Sequence, residues 1–299
     1  MKKVVYLFCL LVLFSLTFEY KEELLVYYNK YFSSNQEVPT PLIKNEYYRD
    51  YNFNYVSNTE DFIPNNKQDI LNIYYTVINS GMDNFTFYCS NEYESCINDV
   101  RDIANNQVVI SNINNYVHPY NGFKDLETEI DSLGKITLNI NRNYTDEMKI
   151  ILNYKIDEII KNNIKDEMDL REKIKVIHDY IINNTKYDTQ RSDSNIINYK
   201  SDTAYGSLIE GYALCGGYTD SMMLFLERFG VKNFRISSEN HVWNYVYLDN
   251  SWYNLDLTWD DPVSKSGKDL LNYDFFLITD EEMFDLDTTE HTYDKNVYN

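Results

Sequence analysis

Apolar residues recur at helical spacing at Leu170, Ile174, Ile177 and Ile181, one stripe of a helix facing a core. Asp169, with Glu172 three positions on, opens that helix as a capping box, because each side chain can satisfy an orphan amide near the other. An earlier helix starts after Thr145, with Asp146 and Glu147 in its first turn and Met148, Ile151, Ile159 and Ile160 as its apolar face through about Asn162. Further upstream the pattern is denser and mixed. It predicts helices over Gln68 to Ile78 and Tyr93 to Ala104, strands at Phe85 to Cys89 and Val108 to Ile110, and an extended run from Tyr116 to Phe123. Asp131-Ser-Leu-Gly134 is turn chemistry, and Lys135 to Ile140 alternates with the period of two of a half-buried strand. Downstream, the apolar run Ser221 to Leu226 reads as a helix closed by Gly230. His241 to Leu248 and Ser251 to Leu257 read as two strands joined at Asp249-Asn250, a two-residue hairpin turn.

These elements divide the 299 residues into an N-terminal leader (1–18), a linker or stalk (19–60), a small α/β domain of unassigned role (61–144) and a larger domain (145–299). The leader is Met1-Lys-Lys followed by an uncharged apolar run from Val4 to Phe18, the length of a signal-peptide h-region rather than of a spanning helix. No Ala-x-Ala-like cleavage site follows it, so a signal peptide and an uncleaved membrane anchor both fit. Either places the rest of the chain outside the cytoplasm, secreted or held at the outer face of the membrane. The membrane is then met only through this segment. A net charge of −20 argues against a grip on phosphate backbones, which needs clustered Lys and Arg, so nucleic acid is not an expected partner.

Export makes the cysteines informative. With Cys9 inside the leader, three remain. Cys89 and Cys96, seven apart, can close a small loop in an oxidising compartment, and Cys215 has no evident partner. Cys215 stands in Gly211-Tyr-Ala-Leu-Cys-Gly-Gly-Tyr218, immediately before the helical run. A thiol with an ordinary pKa of about 8.5 is mostly protonated at neutral pH, and a helix N-terminus favours the thiolate. Gly216 and Gly217 would let a substrate carbonyl approach the backbone, where the Cys215 amide could donate to an oxyanion.

The hairpin supplies two further groups. If Leu248 pairs with Ser251, Trp243 opposes Asp256, and His241 becomes a diagonal neighbour of Asp256, roughly 7 to 8 Å away on the same face. Parity puts Val242, Val246, Leu248, Leu255 and Leu257 on a core face. It puts His241, Trp243, Tyr245, Tyr247, Trp252 and Asp256 on the other, an aromatic wall suggesting a desolvated cleft. Cys215, His241 and Asp256 are therefore the candidate nucleophile, base and orienter. With only four histidines in the chain, a His-rich constellation is not expected. His118 reads as a structural or solvent-facing imidazole and His178 as a packed or surface one. The acidic stretch Glu281 to Asp294 lacks the Gly and ligand spacing of an EF-hand loop and reads as a solvated charged face. No metal or cofactor is expected.

Ala204-Tyr-Gly, Gly211 to Tyr218, Asn240-His-Val-Trp-Asn244 and Trp252-Tyr-Asn-Leu-Asp-Leu-Thr-Trp-Asp-Asp-Pro262, in that order, resemble the transglutaminase-like superfamily, especially its bacterial secreted or surface members. Ile177-His-Asp-Tyr-Ile181 and Asn184-Thr-Lys-Tyr-Asp188 resemble that family's lead-in helix. The resemblance spans roughly Lys173 to Pro262. It implies an α+β fold with a papain/transglutaminase-like core, a nucleophile helix against an antiparallel sheet, here preceded by the small α/β domain. It also implies acyl transfer on protein or peptide amides through Cys215, His241 and Asp256, as a peptidase, amidase or transglutaminase. The alternative is a noncatalytic surface binding module on the same fold. One departure is Gly216, where animal transglutaminases carry Trp directly after the nucleophile.

Overall fold

A computed structural model describes residues 55–263, 270–286 and 289–298. The expectations for the leader and for linker residues 19–54 fall outside these residues. Among the described residues no helix is long and apolar enough to cross a membrane.

The first described unit is built on α1 (Lys67–Asn79), whose N-cap Asn66 accepts from the Asp69 amide and which buries Ile70, Ile73, Tyr74, Val77 and Ile78. Strand β1 (Asn84–Tyr88) leads to α2 (Cys96–Ala104), and Cys89 and Cys96 form a disulfide between the two. Residues expected as a strand at 108–110 instead lie in α3 (Gln107–Asn115). Here the β-branched run is overridden by two helical signals. Asn106 caps the Val109 amide, and Ile110 and Ile113, three apart, face the core while Val108 is left 68% exposed. The expected extended run 116–123 holds a single 3-10 turn at Pro119–Asn121, started by the His118 side chain accepting from the Tyr120 amide. Strands β2 (Phe123–Ile130) and β3 (Lys135–Arg142) complete an antiparallel sheet in the order β1-β3-β2. β2 was not foreseen, because its charged residues Lys124, Asp125, Glu127 and Glu129 mask a weak alternation on a half-exposed edge.

The second unit carries α4 (Asp146–Asn163) and α5 (Leu170–Asn184), the latter with the expected capping box, and Ile174, Ile177 and Ile181 fully buried. A two-residue strand β4 (Lys186–Tyr187) pairs in parallel with β5 (Tyr212–Ala213). The polar stretch between them is partly structured by α6 (Thr189–Ser194) and a π-helical turn at Gly206–Glu210, with Tyr199 stacked on Tyr212 at 4.0 Å. Helix α7 (Cys215–Arg228) then packs on an antiparallel sheet of β6 (Asn233–Ser237), β7 (Val242–Leu248) and β8 (Ser251–Leu255), in that order. The hairpin has the expected register: Leu248 faces Ser251, and Asp249 and Asn250 both have positive φ, as a turn matching strand twist requires. A short helix α8 (Leu257–Asp260) and a later one, α9 (Asp280–Leu286), follow. This is the α+β arrangement expected, a helix begun by Cys215 against an antiparallel sheet.

The two faces of this sheet belong to different cores. Val246, Leu248, Leu255 and Leu257 join the core of α4, α5 and α7. Phe234, Ile236 and Trp243, on the other face, join the core of α1, α2, α3 and the first sheet, sealed by Phe275, Met283 and Tyr298. The aromatic face is therefore no open cleft but a packed second core; Trp243 is 1% exposed. Polar groups cross the same boundary. The Arg235 guanidinium donates to the carbonyls of Asn114 and Val117, both at 2.9 Å, and to the Asp220 carboxylate, which also accepts from the Tyr144 hydroxyl. His118 is buried against Glu227 near the end of α7.

Candidate active site

Cys215 is the first residue of α7, after Leu214 in extended conformation. Its thiol is half-buried and unbridged. The first amides of a helix have no intrahelical acceptor, so Cys215 sits where free N–H groups and the positive end of the helix dipole converge. The glycines that follow serve packing. A Cβ at Gly217 would stand 2.4 Å from the Ser201 carbonyl oxygen and one at Gly216 3.2 Å from that of Asp202. Segment 201–203 therefore lies directly on the helix start, and Leu214 ties to it by donating to the Ser201 carbonyl at 2.8 Å. Chain of this protein, not a substrate carbonyl, occupies the space the glycines leave.

His241 and Asp256 stand just outside the ends of β7 and β8. The hairpin register brings them together as expected: His241 Nε2 is 2.5 Å from Asp256 Oδ2. The Cys215 thiol lies within hydrogen-bonding reach of the same imidazole. Because Nε2 is engaged by the carboxylate, Nδ1 is the ring atom left for sulfur. Residues outside the motifs set this distance. Thr219 lies one turn beyond Cys215 on the same face of α7. Its hydroxyl donates to the Val242 carbonyl at 3.1 Å, and Asn244 donates back to the Thr219 carbonyl at 3.0 Å. These bonds pin the helix that starts at Cys215 to the strand beside His241. The Ser238 amide holds the turn into that strand by donating to the His241 carbonyl at 2.9 Å.

Asp256 has more partners than the sequence suggested. Its Oδ1 accepts from the amides of Thr258 and Trp259, so it is also the N-cap of α8. Its Oδ2 accepts a second imidazole, His291 Nε2, at 2.9 Å. His291 lies in the acidic stretch expected to be a solvated face, yet it is fully buried, with ring contacts to Trp243, Trp259 and Phe275 at 4.8 to 5.1 Å. Two of the four histidines thus meet on one carboxylate. The neighbouring carboxylates Glu281 and Glu282 are exposed as expected, whereas Asp280 accepts from Asn254 at 2.8 Å and from Tyr245 at 3.2 Å. No local pattern flags His291; only the aromatic residues around it, Tyr293 and Phe284, hint at burial. His178, also buried, bridges Asp179 and Asp260, each at 3.0 Å, and so secures the far end of α8.

His241, Asp256 and His291 bring three potential metal-ligand atoms close together. Their separations of 2.5 and 2.9 Å are hydrogen-bond distances. Ligands held at about 2.0 to 2.1 Å around a tetrahedral zinc would be splayed wider, so shared protons account for the cluster. A cleft of about 510 Å³ flanks the assembly between α3, Ser237 to Glu239 and the tail from Thr292, but Cys215, His241 and Asp256 do not line it.

Burial opposes charge on His241, but the Asp256 carboxylate and then the Cys215 sulfur outweigh it and raise its pKa to about 10. For Asp256, burial would raise the pKa, and the two imidazoles, His241 first, hold it below the usual carboxylate range instead. The arrangement thus keeps a proton on His241 and a negative charge on Asp256 at neutral pH, and sets a sulfur at the other side of the ring.

No curated protein matches this sequence. Among solved structures, a TGase is similar over 49% of this chain and 48% of its own, at 17% identity and a TM-score of 0.35. A provisionally assigned cysteine protease from Cytophaga hutchinsonii is similar over 45% of this chain and 61% of its own, at 12% identity and a TM-score of 0.28. The chain thus spans about half of the one and three fifths of the other, overlaps too slight to carry an activity. The sequence match is more specific: residues 158–257 fit the family model of the transglutaminase-like superfamily, a span that contains Cys215, His241 and Asp256 and stops short of His291. That segment of the chain is similar to the transglutaminase-like superfamily.

Proposed function

We propose that the protein is a cysteine-dependent acyl-transfer enzyme acting on protein or peptide amides outside the cytoplasm. The observation that carries this reading is the His241 imidazole held between the Cys215 thiol and the Asp256 carboxylate. His241 already holds the proton that the thiol gives up, and the sulfur attacks the amide carbonyl carbon as the thiolate of this pair. The resulting oxyanion is met by the Cys215 amide at the start of α7. His241 then gives its proton to the departing amine as the C–N bond breaks, leaving a thioester on Cys215. Water or a second amine attacks that thioester, gives up a proton through His241 and restores the thiol. Asp256 orients the ring and balances its charge throughout, as in other nucleophile, base and acid sets. The Cys89–Cys96 disulfide supports the location, since such bonds persist in oxidising compartments.

The test is incubation of the protein with a peptide library and a labelled primary amine, read by mass. Cleavage or deamidation assigns water as the acceptor, and incorporation of the label assigns an amine. A Cys215→Ala protein that retains activity overturns the proposal. No turnover, together with thiol alkylation at the rate of an ordinary cysteine, would leave the fold as a binding module.

A further inference from the structure

We infer that His291 is a fourth member of the site, a positioning residue that acts on His241 through Asp256. The inference rests on the reading of Cys215, His241 and Asp256 as a reactive set.

A carboxylate has about four lone-pair sites, and here four donors fill them. The amides of Thr258 and Trp259 take Oδ1, and His241 and His291 take Oδ2. The amides fix the plane of the carboxylate. The two imidazoles then compete for one oxygen, so the negative charge that draws the His241 proton is shared. His291 cannot swing away, because Trp243, Trp259 and Phe275 surround its ring. It is also delivered with care. The segment that carries it is anchored beyond it, where the Tyr298 hydroxyl accepts from Asn115 of α3 at 2.8 Å and from the Ser237 amide at 3.3 Å, and the Tyr116 hydroxyl donates to the Val297 carbonyl at 2.6 Å. The first unit of the chain thereby holds the tail that supplies this donor.

The groups facing His241 are Cys215 from α7, Asp256 at the end of β8 and His291 from the tail, and Asp260 of α8 faces Asp256 in turn. Removing the His291 donor concentrates the Asp256 charge on His241, which then holds its proton more tightly. The structural alternative, that His291 only fills space, predicts no such change.

The experiment is the pH profile of Cys215 alkylation by iodoacetamide in the full chain, for wild type, H291F, H291N and H291Q. Phe fills the volume without a donor. The Asn amide is too short to reach the Nε2 position, while Gln places an N–H there. The alkaline limb, where His241 loses its proton, is expected to move up by about one pH unit in H291F and H291N, a tenfold tighter hold. H291Q is expected to return to the wild-type profile. Wild-type profiles in folded H291F or H291N overturn the inference, and H291N serves if H291F does not fold. If wild-type Cys215 itself reacts as an ordinary thiol, the reading of the site fails instead, so the two failures are distinct.

Discussion

Gly217 lies so close beneath Ser201 that a single added carbon would stand 2.4 Å from its carbonyl oxygen. The third residue of α7, still within its first turn, is thus chosen for the chain crossing above it. Gly217→Ala is expected to destabilise the fold by about 1 to 3 kcal/mol, the usual cost of overpacking, and to slow alkylation of Cys215 because the helix start must shift. Gly216→Ala, facing a 3.2 Å approach, is expected to cost less. Thermal unfolding of the two variants checks the order, and equal midpoints would show that the crossing segment yields freely.

The His241 ring is the hinge of the proposed chemistry. His241→Ala and Asp256→Asn are each expected to lower amide turnover by roughly 10² to 10⁴, the range of general-base and orienting groups. His241→Ala is also expected to bring iodoacetamide labelling of Cys215 at neutral pH down to the rate of an ordinary thiol. Labelling as fast as in wild type would remove His241 from the activation of the sulfur.

Stability should follow pH in a defined direction. His241 is held above its unfolded pKa of about 6.5, so its contribution is complete below that value and is lost as pH rises towards about 10. Asp256 is shifted the other way, so its contribution is present above about pH 4 and is lost on acidification. Both shifts describe one interaction and count once. Denaturant midpoints between pH 7 and 10 should fall in wild type and stay flatter in Asp256→Asn. Parallel curves would assign the slope to other groups.

Thr219 tests whether the helix must be pinned to the strand. Thr219→Val keeps the shape and loses the bond to the Val242 carbonyl, at an expected cost of about 1 kcal/mol and a lower alkylation rate at unchanged pH profile. A profile that shifts in pH would mean that Thr219 affects protonation rather than distance.

The buried Arg235 and Asp220 pair ties α7 to both units. Asp220→Ala leaves the guanidinium uncompensated and is expected to cost about 3 to 5 kcal/mol, whereas removing both charges should cost less than the sum of the single changes. A double-mutant cycle in denaturant measures it.

Much of the site was legible because its information is local. The capping box at Asp169, the two-residue turn at Asp249-Asn250 and the period-two hairpin each depend on neighbours in sequence, and the hairpin with its turn brings His241 to Asp256 without any tertiary knowledge. The misreadings arose where the deciding contact was distant. Parity separated the faces of the hairpin correctly, but whether the Trp243 face is open or covered depends on α3 and Tyr298. The β-branched run at 108–110 looked like a strand until Asn106 capped it as a helix. Gly216 and Gly217 looked like room for a substrate because Ser201 and Asp202 approach them across a loop. His291 left only the faint trace of its aromatic neighbours, since a lone histidine among carboxylates carries no period.

The same distance has a temporal side. Asp256 and its second imidazole are 35 positions apart, and in a chain made from its N-terminus Cys215, His241 and Asp256 all precede His291. A nascent or truncated chain that has not yet reached that residue carries Cys215, His241 and Asp256 but lacks the fourth hydrogen-bond donor to the carboxylate. If His291 acts as inferred, the site takes its final form only once this tail has been made and docked.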